Sequence, residues 1–341
     1  MQITVWTTAQ CNLKCSYCYE NKNDMAEKRM PILDEEKTIE YVISKLASDN
    51  VILFHGGEPL LNFPFIRKMT EAVLRKDDKC RFGFTTNGTI WTEEIEEFFK
   101  GNKESFEDWI SISIDGRPTY HNLSRRYKSG EETFHIVAQT SDRIRKIFPD
   151  IRVRMTVTPL NSRGLADNID FLVGLGFRKI VPVLDVYDKT WTDKDFEGLS
   201  MEIDKVIEKY KSRQEISVGL LEECQYLRKR GFCTFSSNIY VDGRIYPCTY
   251  AVGDERFLIG DIWSGVDKEK EKRLMSLVKQ NNPECVGCTN LDYCIYNRCK
   301  FLNYVVEGGF DTPCEIGCAY ENLKVEKIKK CLMGKAYMEG R

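Results

Sequence analysis

Three cysteines lie close together near the start of the chain, in the segment AQCNLKCSYCYE at residues 9–20. Cys11, Cys15 and Cys18 follow an apolar run and alternate with polar residues, a pattern that hydrophobic packing does not explain. A structural zinc site would need a fourth ligand nearby, and no His or Cys follows until His55. Three thiolates with one open position instead suit an iron–sulfur cubane whose fourth iron takes another ligand.

A second group of cysteines begins at residue 224, from which point the chain carries ten of its fourteen cysteines. Within this group, the segment FSSNIYVDGRIYPC predicts a β-hairpin with Asp-Gly at the turn, which brings its flanking cysteines together. A Cys-x2-Cys pair at residues 285–288 is also compatible with zinc. Cys80 and Cys331 stand apart from both groups, and we expect them to bind no metal.

The composition is that of an ordinary globular protein: 341 residues, 42% hydrophobic and 30% charged, with a formal net charge of −2. This balance does not indicate a nucleic-acid partner. No stretch has the length of an apolar membrane span, and Met1 is followed by a strand-like segment rather than a leader. We therefore expect a cytoplasmic protein, in which fourteen reduced thiols indicate metal binding rather than a disulfide framework.

Six short β-rich runs alternate with segments of helical period from residue 1 to about 215. Six consecutive βα units predict an α/β fold, a partial (β/α)6 TIM-like barrel with functional residues at the carboxyl ends of its strands. The predicted strands are residues 3–8, 51–55, 81–86, 109–115, 151–158 and 179–184.

A change in composition follows the charged helical segment at residues 193–213. Cysteines become frequent there and the helical periodicity fades. We predict a barrel domain over residues 1–215 and a loop-rich, cluster-binding domain over residues 216–341, with a closing helix across ENLKVEKIKKCL.

The first cysteine motif, with Tyr17 before its last cysteine, resembles the signature of the radical S-adenosylmethionine (radical SAM) enzymes, which also use a six-unit partial barrel. Further segments match the family in the expected order, each at the end of a predicted strand. They are GGEP (Gly56, Gly57, Glu58, Pro59), TTNG (residues 85–88, with Thr86 and Asn87) and SISIDG (with Ser113 and Asp115).

The resemblance implies S-adenosylmethionine as cofactor, chelated through its amino and carboxylate groups by the open iron of the cluster. One transferred electron then yields a 5′-deoxyadenosyl radical, which the barrel must shield from water. Glu58 would accept a hydrogen bond from the cofactor ammonium, and Arg125 or Arg126 would pair with its carboxylate. A solvated surface position is the alternative for both arginines. The histidines, His55, His121 and His135, are expected to be structural.

The C-terminal cysteines resemble the SPASM extension of radical SAM enzymes, which binds two auxiliary [4Fe–4S] clusters, so the resemblance implies three clusters in all. One auxiliary cluster would take Cys233, Cys248 and Cys299, with Cys224 as a possible fourth ligand. The other would take Cys285, Cys288, Cys294 and a late cysteine, Cys318 in preference to Cys314. Four residues separate Cys294 from Cys299 where the family has three, which leaves the division of ligands open.

Enzymes with a SPASM extension mostly modify peptides or proteins. We predict a maturase that installs a thioether or carbon–carbon crosslink in a ribosomal precursor peptide. The alternative is an anaerobic sulfatase maturase, which forms formylglycine; those enzymes carry an Asp base directly after the cysteine that ends the hairpin, where this chain has Thr249. Asp254 and Glu255 lie nearby and are possible substitutes.

A non-enzymatic iron–sulfur electron carrier or a zinc-dependent binding module would also explain the cysteines, but neither requires GGEP and TTNG on successive strands. The expected partners are a precursor peptide, a separate leader-binding protein and an electron donor of flavodoxin or ferredoxin type. We expect neither nucleic acid nor membrane as a partner. The sequence assigns no catalytic residue and identifies neither the substrate peptide nor the oligomeric state.

Overall fold

Strands and helices alternate along the chain as predicted. This computed structural model describes residues 2–22, 33–220, 235–294 and 299–339. The strands are β1 (Gln2–Thr8), β2 (Val51–Gly56), β3 (Arg81–Thr86), β4 (Ile110–Ser113), β5 (Arg152–Val157), β6 (Lys179–Leu184), β7 (Ser217–Val218), β8 (Ser237–Ile239), β9 (Arg244–Tyr246), β10 (Gly260–Asp261) and β11 (Gly265–Val266).

The α-helices lie mainly between the strands, and local sequence determines where several of them begin. They are α1 (Glu35–Ser44), α2 (Phe63–Leu74), α3 (Glu93–Gly101), α4 (Lys103–Phe106), α5 (Pro118–Ser124), α6 (Phe134–Ile147), α7 (Leu165–Gly174), α8 (Asp193–Tyr210), α9 (Lys268–Val278), α10 (Lys300–Glu307) and α11 (Glu315–Glu339).

Side-chain caps satisfy backbone donors at the helix starts. The Asp34 carboxylate accepts a hydrogen bond from the backbone N–H of Lys37 at 3.1 Å, which starts α1. Thr192 and Asp195 form a reciprocal capping box at the start of α8.

No helix among the described residues is long and apolar enough to cross a membrane.

The structure confirms the six predicted strands as β1–β6, with differences of at most two residues at their ends. Strands β1 to β4 are neighbours in parallel register, and β5, β6 and β7 form a second parallel run. The alternation of parallel strands with helices is that of a partial βα barrel, as predicted.

The chain forms two compact units, each made of separate stretches of sequence. The first unit contains residues 1–113, 122–151 and 234–275, and the second contains residues 114–121, 152–233 and 276–341. Each unit contains residues from before and after position 215. The predicted domain boundary between residues 215 and 216 therefore remains a prediction.

The predicted hairpin is present in the first unit as the antiparallel pair β8 and β9, in which Asn238 lies opposite Tyr246. Gly243 forms its turn with a φ of 79°, a conformation that favours glycine. Strand β8 also pairs in parallel with β1, so the hairpin extends the sheet of the N-terminal strands. The sequence did not predict this addition.

An aromatic cluster packs the helices of the first unit against β3. The Phe99 side chain, which is fully buried, stacks on Trp91 at 5.4 Å between ring centroids and meets Phe106 edge-on at 4.9 Å. Phe84 on β3 lies 5.1 Å from the same ring. These contacts hold the end of β3, which carries the TTNG segment, in a fixed position.

We expect Phe99→Ala to lower the free energy of unfolding by roughly 3–5 kcal/mol, the usual cost of removing a fully buried aromatic ring. Met201→Ala is the matched control, because Met201 is 61% exposed on α8 and should cost under about 0.5 kcal/mol. Anaerobic urea unfolding followed by circular dichroism measures both. A loss for Phe99→Ala as small as that of the control would show that the cluster does not stabilise this unit.

Candidate functional site

The loop after β1 presents Cys11, Cys15 and Cys18, all three partly exposed. Burial raises the pKa of Cys11, and the nearby charge of Cys18 adds to that effect. The described residues contain no group of three or more His, Cys, Asp or Glu side chains that converge on a single metal ion. A cubane cluster spreads its thiolate ligands over several irons, so it does not require them to meet at one point.

The cysteine loop is held by backbone contacts with the segment that follows α5. The backbone N–H of Lys14 donates to the carbonyl of Arg126 at 2.9 Å, and Leu13 forms an isolated bridge with Tyr127. The Leu13 side chain is 3% exposed and anchors the loop in the core. The three thiols therefore sit on a fixed segment, although it is neither helix nor strand.

Two glycines allow the end of β2 to approach this loop. Gly56 has a φ of 134°, and a Cβ atom there would lie 2.0 Å from the carbonyl oxygen of Thr8. A Cβ atom on Gly57 would lie 2.3 Å from the carbonyl oxygen of Gln10 and 2.9 Å from the Cβ of Cys11. A side chain at either position would separate β2 from the cysteine loop.

Glu58 follows as a buried carboxylate, 1% exposed. It accepts hydrogen bonds from the backbone N–H groups of Leu60 at 3.2 Å and Asn87 at 2.7 Å, and from the Thr86 hydroxyl at 2.9 Å. Burial raises the pKa of Glu58 to about 7, against these hydrogen bonds and the charge of Arg125. Across the described part of the chain, no Lys or Arg forms an ion pair with this carboxylate.

Asn87 connects the carboxylate to the first cysteine. Its backbone bonds Glu58, while its side-chain amide donates to Asn12 Oδ1 at 2.9 Å and contacts Cys11 Sγ at 3.8 Å. The Thr89 hydroxyl donates to the carbonyl oxygen of the same amide at 2.6 Å. The GGEP, TTNG and cysteine segments thus form one hydrogen-bonded group. Pro59, which is buried, begins the 3-10 helix Pro59–Asn62 behind it.

The structure distinguishes the two arginines. The Arg125 side chain is buried beneath the ring of Tyr17, 5.2 Å from its centroid, and is close enough to Glu58 to lower its pKa. Arg126 is directed to the surface, where it pairs with the exposed Glu132 at 3.3 Å. Arg125 therefore belongs to the group around Glu58, and the side chain of Arg126 does not.

The remaining barrel positions, Ser113 and Asp115, are both buried. In the second unit, the Asp115 carboxylate accepts a hydrogen bond from the backbone N–H of Thr156 on β5 at 2.9 Å. The backbone N–H of Asp115 donates to His121 Nδ1 at 3.4 Å. These hydrogen bonds connect Asp115 to β5 and to His121. A cofactor contact at Ser113 or Asp115 remains a prediction.

Four cysteines of the second unit line one cavity: Cys285, Cys288, Cys294 and Cys318. Burial and, after it, the charges of the other three thiols raise the pKa of Cys285 to about 11. Asn290 and Asn322, which also line the cavity, bond each other at 2.8 Å. Four thiols around one cavity suit an iron–sulfur cluster with full cysteine ligation.

Cys314 does not line this cavity, although it lies one helical turn before Cys318. Its side chain is fully buried, and its Sγ accepts a hydrogen bond from the backbone N–H of Gly317 at 3.4 Å. Burial raises the pKa of Cys314 to about 11. The preference for Cys318 as the late ligand remains a prediction, which its place in the cavity supports.

The other auxiliary set is only partly described. Cys248 is half-buried and directly precedes the 3-10 helix Thr249–Ala251, and Cys299 is the residue before α10. Cys224 and Cys233 lie outside the described residues. A second auxiliary cluster with these ligands remains a prediction. Cys80 is a buried thiol, and the expectation that it binds no metal remains a prediction.

Sequence reasoning gave no role to a polar group beside the first cysteines. The Tyr19 hydroxyl lies 2.9 Å from His55 Nε2, and the Glu20 carboxylate lies 3.8 Å from the same nitrogen. His55 also meets Trp6 edge-on at 4.4 Å between ring centroids. Their positions in the sequence could have indicated this group, because Tyr19 and Glu20 directly follow Cys18 and His55 directly precedes Gly56.

The carboxylates near Thr249 are already paired with arginines. Asp254 bonds the Arg256 guanidinium at 2.8 and 2.5 Å, which holds the pKa of this carboxyl below its usual range. Glu255 pairs with Arg244. Because both carboxylates are engaged in these ion pairs, neither is available to accept a proton in place of Thr249.

Comparison with known proteins agrees with this geometry. Residues 7–172 match the Radical SAM superfamily. The chain is 25% identical over 312 residues to the cysteine-type anaerobic sulfatase-maturating enzyme of Clostridium perfringens, covering 82% of this chain and 83% of that protein. The solved structure "Native anSMEcpe with bound AdoMet" superposes with a TM-score of 0.81 at 22% identity, over 99% of both chains.

A more distant likeness is to Streptococcus suis SuiB bound to its precursor peptide SuiA, with a TM-score of 0.59 at 14% identity, over 93% of this chain and 75% of that one. This second likeness shows the fold alone. The match at residues 7–172, the GGEP and TTNG segments beside the three cysteines, and the shared fold lead to one conclusion. The protein is an enzyme with a radical SAM domain over residues 7–172, and the family of that domain binds S-adenosylmethionine and a [4Fe–4S] cluster.

Proposed function

We propose that this enzyme oxidises a cysteine side chain of a protein or peptide substrate to formylglycine, the activity of an anaerobic sulfatase maturase. One observation carries the proposal. The similarity to the cysteine-type sulfatase-maturating enzyme covers 82% of the chain, so it extends well beyond the superfamily match at residues 7–172. This support exceeds that for the crosslinking activity suggested by the sequence.

The residues around Glu58 fit S-adenosylmethionine. When bound, the cofactor and its cluster supply a carbon-centred radical that removes a hydrogen atom from the substrate. No Lys or Arg in the described part of the chain forms an ion pair that balances the charge of the buried Glu58 carboxylate, and burial raises its pKa to about 7. An ammonium group would supply that balance, while the Arg125 guanidinium would pair with the cofactor carboxylate and Cys11, Cys15 and Cys18 would hold the cluster.

Oxidation of a thiol to an aldehyde also requires a group that takes a proton. Thr249 is a poor acceptor, since an aliphatic hydroxyl does not bind a proton near neutral pH. His55 Nε2, in contact with Tyr19 and near Glu20, is a nitrogen beside the cysteine loop that can hold this proton. We infer that proton transfer involves this group rather than the hairpin.

Peptide crosslinking is the second candidate, and Thr249 favours it, because a sulfatase maturase has an Asp at this position. A crosslink would remove two hydrogens from a precursor peptide, with bond formation between a thiol sulfur or carbon and another carbon. A separate leader-binding protein belongs to this candidate.

We further propose three [4Fe–4S] clusters. The first is held by the N-terminal cysteines, and a second by Cys285, Cys288, Cys294 and Cys318, which line one cavity. The third would take Cys248 and Cys299 with Cys224 and Cys233. An electron donor of flavodoxin or ferredoxin type would reduce the first cluster, and we expect the enzyme to work in the cytoplasm.

Glu58→Gln should weaken S-adenosylmethionine binding by roughly 1–3 kcal/mol, the usual range for a hydrogen bond to a charged group. Because the pKa of Glu58 is raised to about 7, affinity in the native protein should fall as the pH falls through that value, when the carboxyl takes up a proton. Anaerobic calorimetry between about pH 6 and pH 8 measures this.

Glu132→Gln, at an exposed carboxylate paired with Arg126, is the control and should bind as the native protein does. The Glu58→Gln protein should lose the pH dependence along with the affinity. Equal affinity and an identical pH profile in the Glu58→Gln and native proteins would contradict the role given to this carboxylate.

Cys318→Ala should lose about a third of the bound iron, since it removes a ligand from one of three clusters, whereas Cys314→Ala should keep all of it. Iron and sulfide analysis after anaerobic reconstitution measures both. The reverse result would make Cys314 the ligand. Equal iron in both variants and the native protein would argue against a cluster in this cavity.

A peptide that carries the cysteine motif of a sulfatase should gain an aldehyde and lose its thiol when incubated with the reduced enzyme and S-adenosylmethionine. Mass spectrometry and trapping with a hydrazine detect that product. Cys11→Ala is the control and should leave the peptide unchanged. A native enzyme that cleaves the cofactor, leaves this peptide intact and removes two hydrogens from a cysteine-containing precursor peptide would favour crosslinking instead.

A further inference from the structure

The four-cysteine cavity of the second unit is the one lined by Cys285, Cys288, Cys294 and Cys318. Two asparagines line it as well, and each donates a hydrogen bond to one of its sulfurs. The backbone N–H of Asn290 donates to the Sγ of Cys288 at 3.4 Å. The side-chain amide of Asn322 donates to the Sγ of Cys318 at 3.7 Å. Both donors thus face atoms that would bind iron.

The spacing along α11 places Asn322 beside its sulfur. Cys318 and Asn322 are four residues apart on this helix, so their side chains lie on the same face. Lys329 follows Asn322 by seven residues, which is close to two turns along that face. The helix therefore presents a thiol, an amide and an ammonium in one line, and Asn290 contacts the last two.

The hydrogen bonds between these side chains all run in one direction. The Lys329 ammonium donates to Asn290 Oδ1 at 3.3 Å. The amide nitrogen of Asn290 donates to Asn322 Oδ1 at 2.8 Å, and the amide nitrogen of Asn322 donates to the Cys318 sulfur. Hydrogen bonds in such a chain polarise one another. The positive charge of Lys329 therefore strengthens the donor that faces Cys318.

The asparagine pair also joins two separate parts of the chain. Asn290 lies in the segment 285–294, which carries three of the four cysteines, and Asn322 lies on the helix that carries the fourth. The bond between their amides thus holds both segments together directly beside two of the sulfurs. It also fixes the direction in which the Asn322 amide donates.

We propose that Asn322, oriented by Asn290 and polarised by Lys329, raises the reduction potential of the cluster in the four-cysteine cavity. This inference rests on the ligand set given in the proposed function. A [4Fe–4S] cluster gains negative charge on reduction, and hydrogen bonds to its sulfurs favour the more negative state. Asn322 is exposed, so water competes with its hydrogen bond and limits the effect.

The chain offers a matched control in Lys330, the next residue of α11. Its side chain is 67% exposed, and its Nζ lies 2.6 Å from the carboxylate of Glu326 rather than beside Asn290. Lys330→Met removes the same unit charge as Lys329→Met from almost the same place. A long-range effect of lost charge would therefore appear in both variants, whereas an effect through the amide chain would appear only in Lys329→Met.

The test is a redox titration of the full-length protein, reconstituted with iron and sulfide and followed by electron paramagnetic resonance. Cys11, Cys15 and Cys18 are all replaced by Ala, which removes the signal of the first cluster. The signal that disappears in Cys318→Ala identifies the cluster of interest. Potentials are measured without substrate, so the result does not depend on the reaction catalysed.

Asn322→Leu should shift this potential to a more negative value, because leucine removes the donor and covers the place that water would take. The ratio of oxidised to reduced cluster at a fixed potential should change roughly twofold to tenfold, the usual scale of one hydrogen bond. For a one-electron couple at 59 mV per tenfold, this is about 18–59 mV.

Lys329→Met should shift the potential in the same direction by a smaller amount, Lys329→Arg should leave it near the native value, and Lys330→Met should not change it. An unchanged or less negative potential in Asn322→Leu would overturn the proposal. Equal potentials in Lys329→Met and Lys330→Met would overturn it as well.

Should Asn322→Leu fail to hold the cluster, Lys329→Met decides the question against Lys330→Met, because Lys329 is exposed and its replacement leaves the core intact. Absence of any signal that depends on Cys318 in the otherwise native chain would overturn both the ligand set and this proposal. Formylglycine formation without these shifts would leave the proposed function in place and overturn the role of Asn322 alone.

Discussion

The approach of the end of β2 to the loop after β1 is the constraint on which the site depends. A Cβ atom at Gly57 would lie 2.3 Å from the carbonyl oxygen of Gln10, so no side chain fits between the two segments. The backbone N–H of Glu58 then donates to that carbonyl at 2.9 Å. Because Cys11 belongs to the same loop, a change in β2 would move this cysteine together with Glu58, the carboxylate proposed to bind the cofactor ammonium.

The energetics of Glu58 explain why this segment suits a cationic ligand. A pKa raised from 4.5 to about 7 corresponds to roughly 3 kcal/mol of lost preference for the charged form. Hydrogen bonds from Leu60, Thr86 and Asn87 offset part of the desolvation cost but leave a deficit. A hydrogen bond from a bound ammonium contributes about 1.5–3 kcal/mol, which is of the same size. The charged form of Glu58 is therefore less stable without a cation beside it, and a bound ammonium would compensate for that loss.

Much of the fold could be predicted from the sequence, because periodicity reports which faces are buried. Strands β1–β6 and the β8–β9 hairpin follow from alternating residues and from Asp242-Gly243 at the turn. The parallel pairing of β8 with β1 could not be predicted, since no local signal identifies a partner over two hundred residues away. Arg125 and Arg126 are equivalent in sequence, and only the fold decides that one is buried and the other exposed.

The fold also distinguishes cysteines that pack in the core from cysteines that are grouped as metal ligands. Burial, followed by the nearby charge of Asp77, raises the pKa of the Cys80 thiol to about 12, and such a group remains protonated and inert. Cys285 differs in that the charges of the three other thiols that line its cavity also raise its pKa, so four thiolates would repel one another strongly in an empty cavity. Iron removes that repulsion, because it neutralises the thiolates it binds. Grouping rather than burial is therefore what marks a ligand, and sequence spacing detects grouping within one loop but not between Cys294 and Cys318, which only the fold brings together.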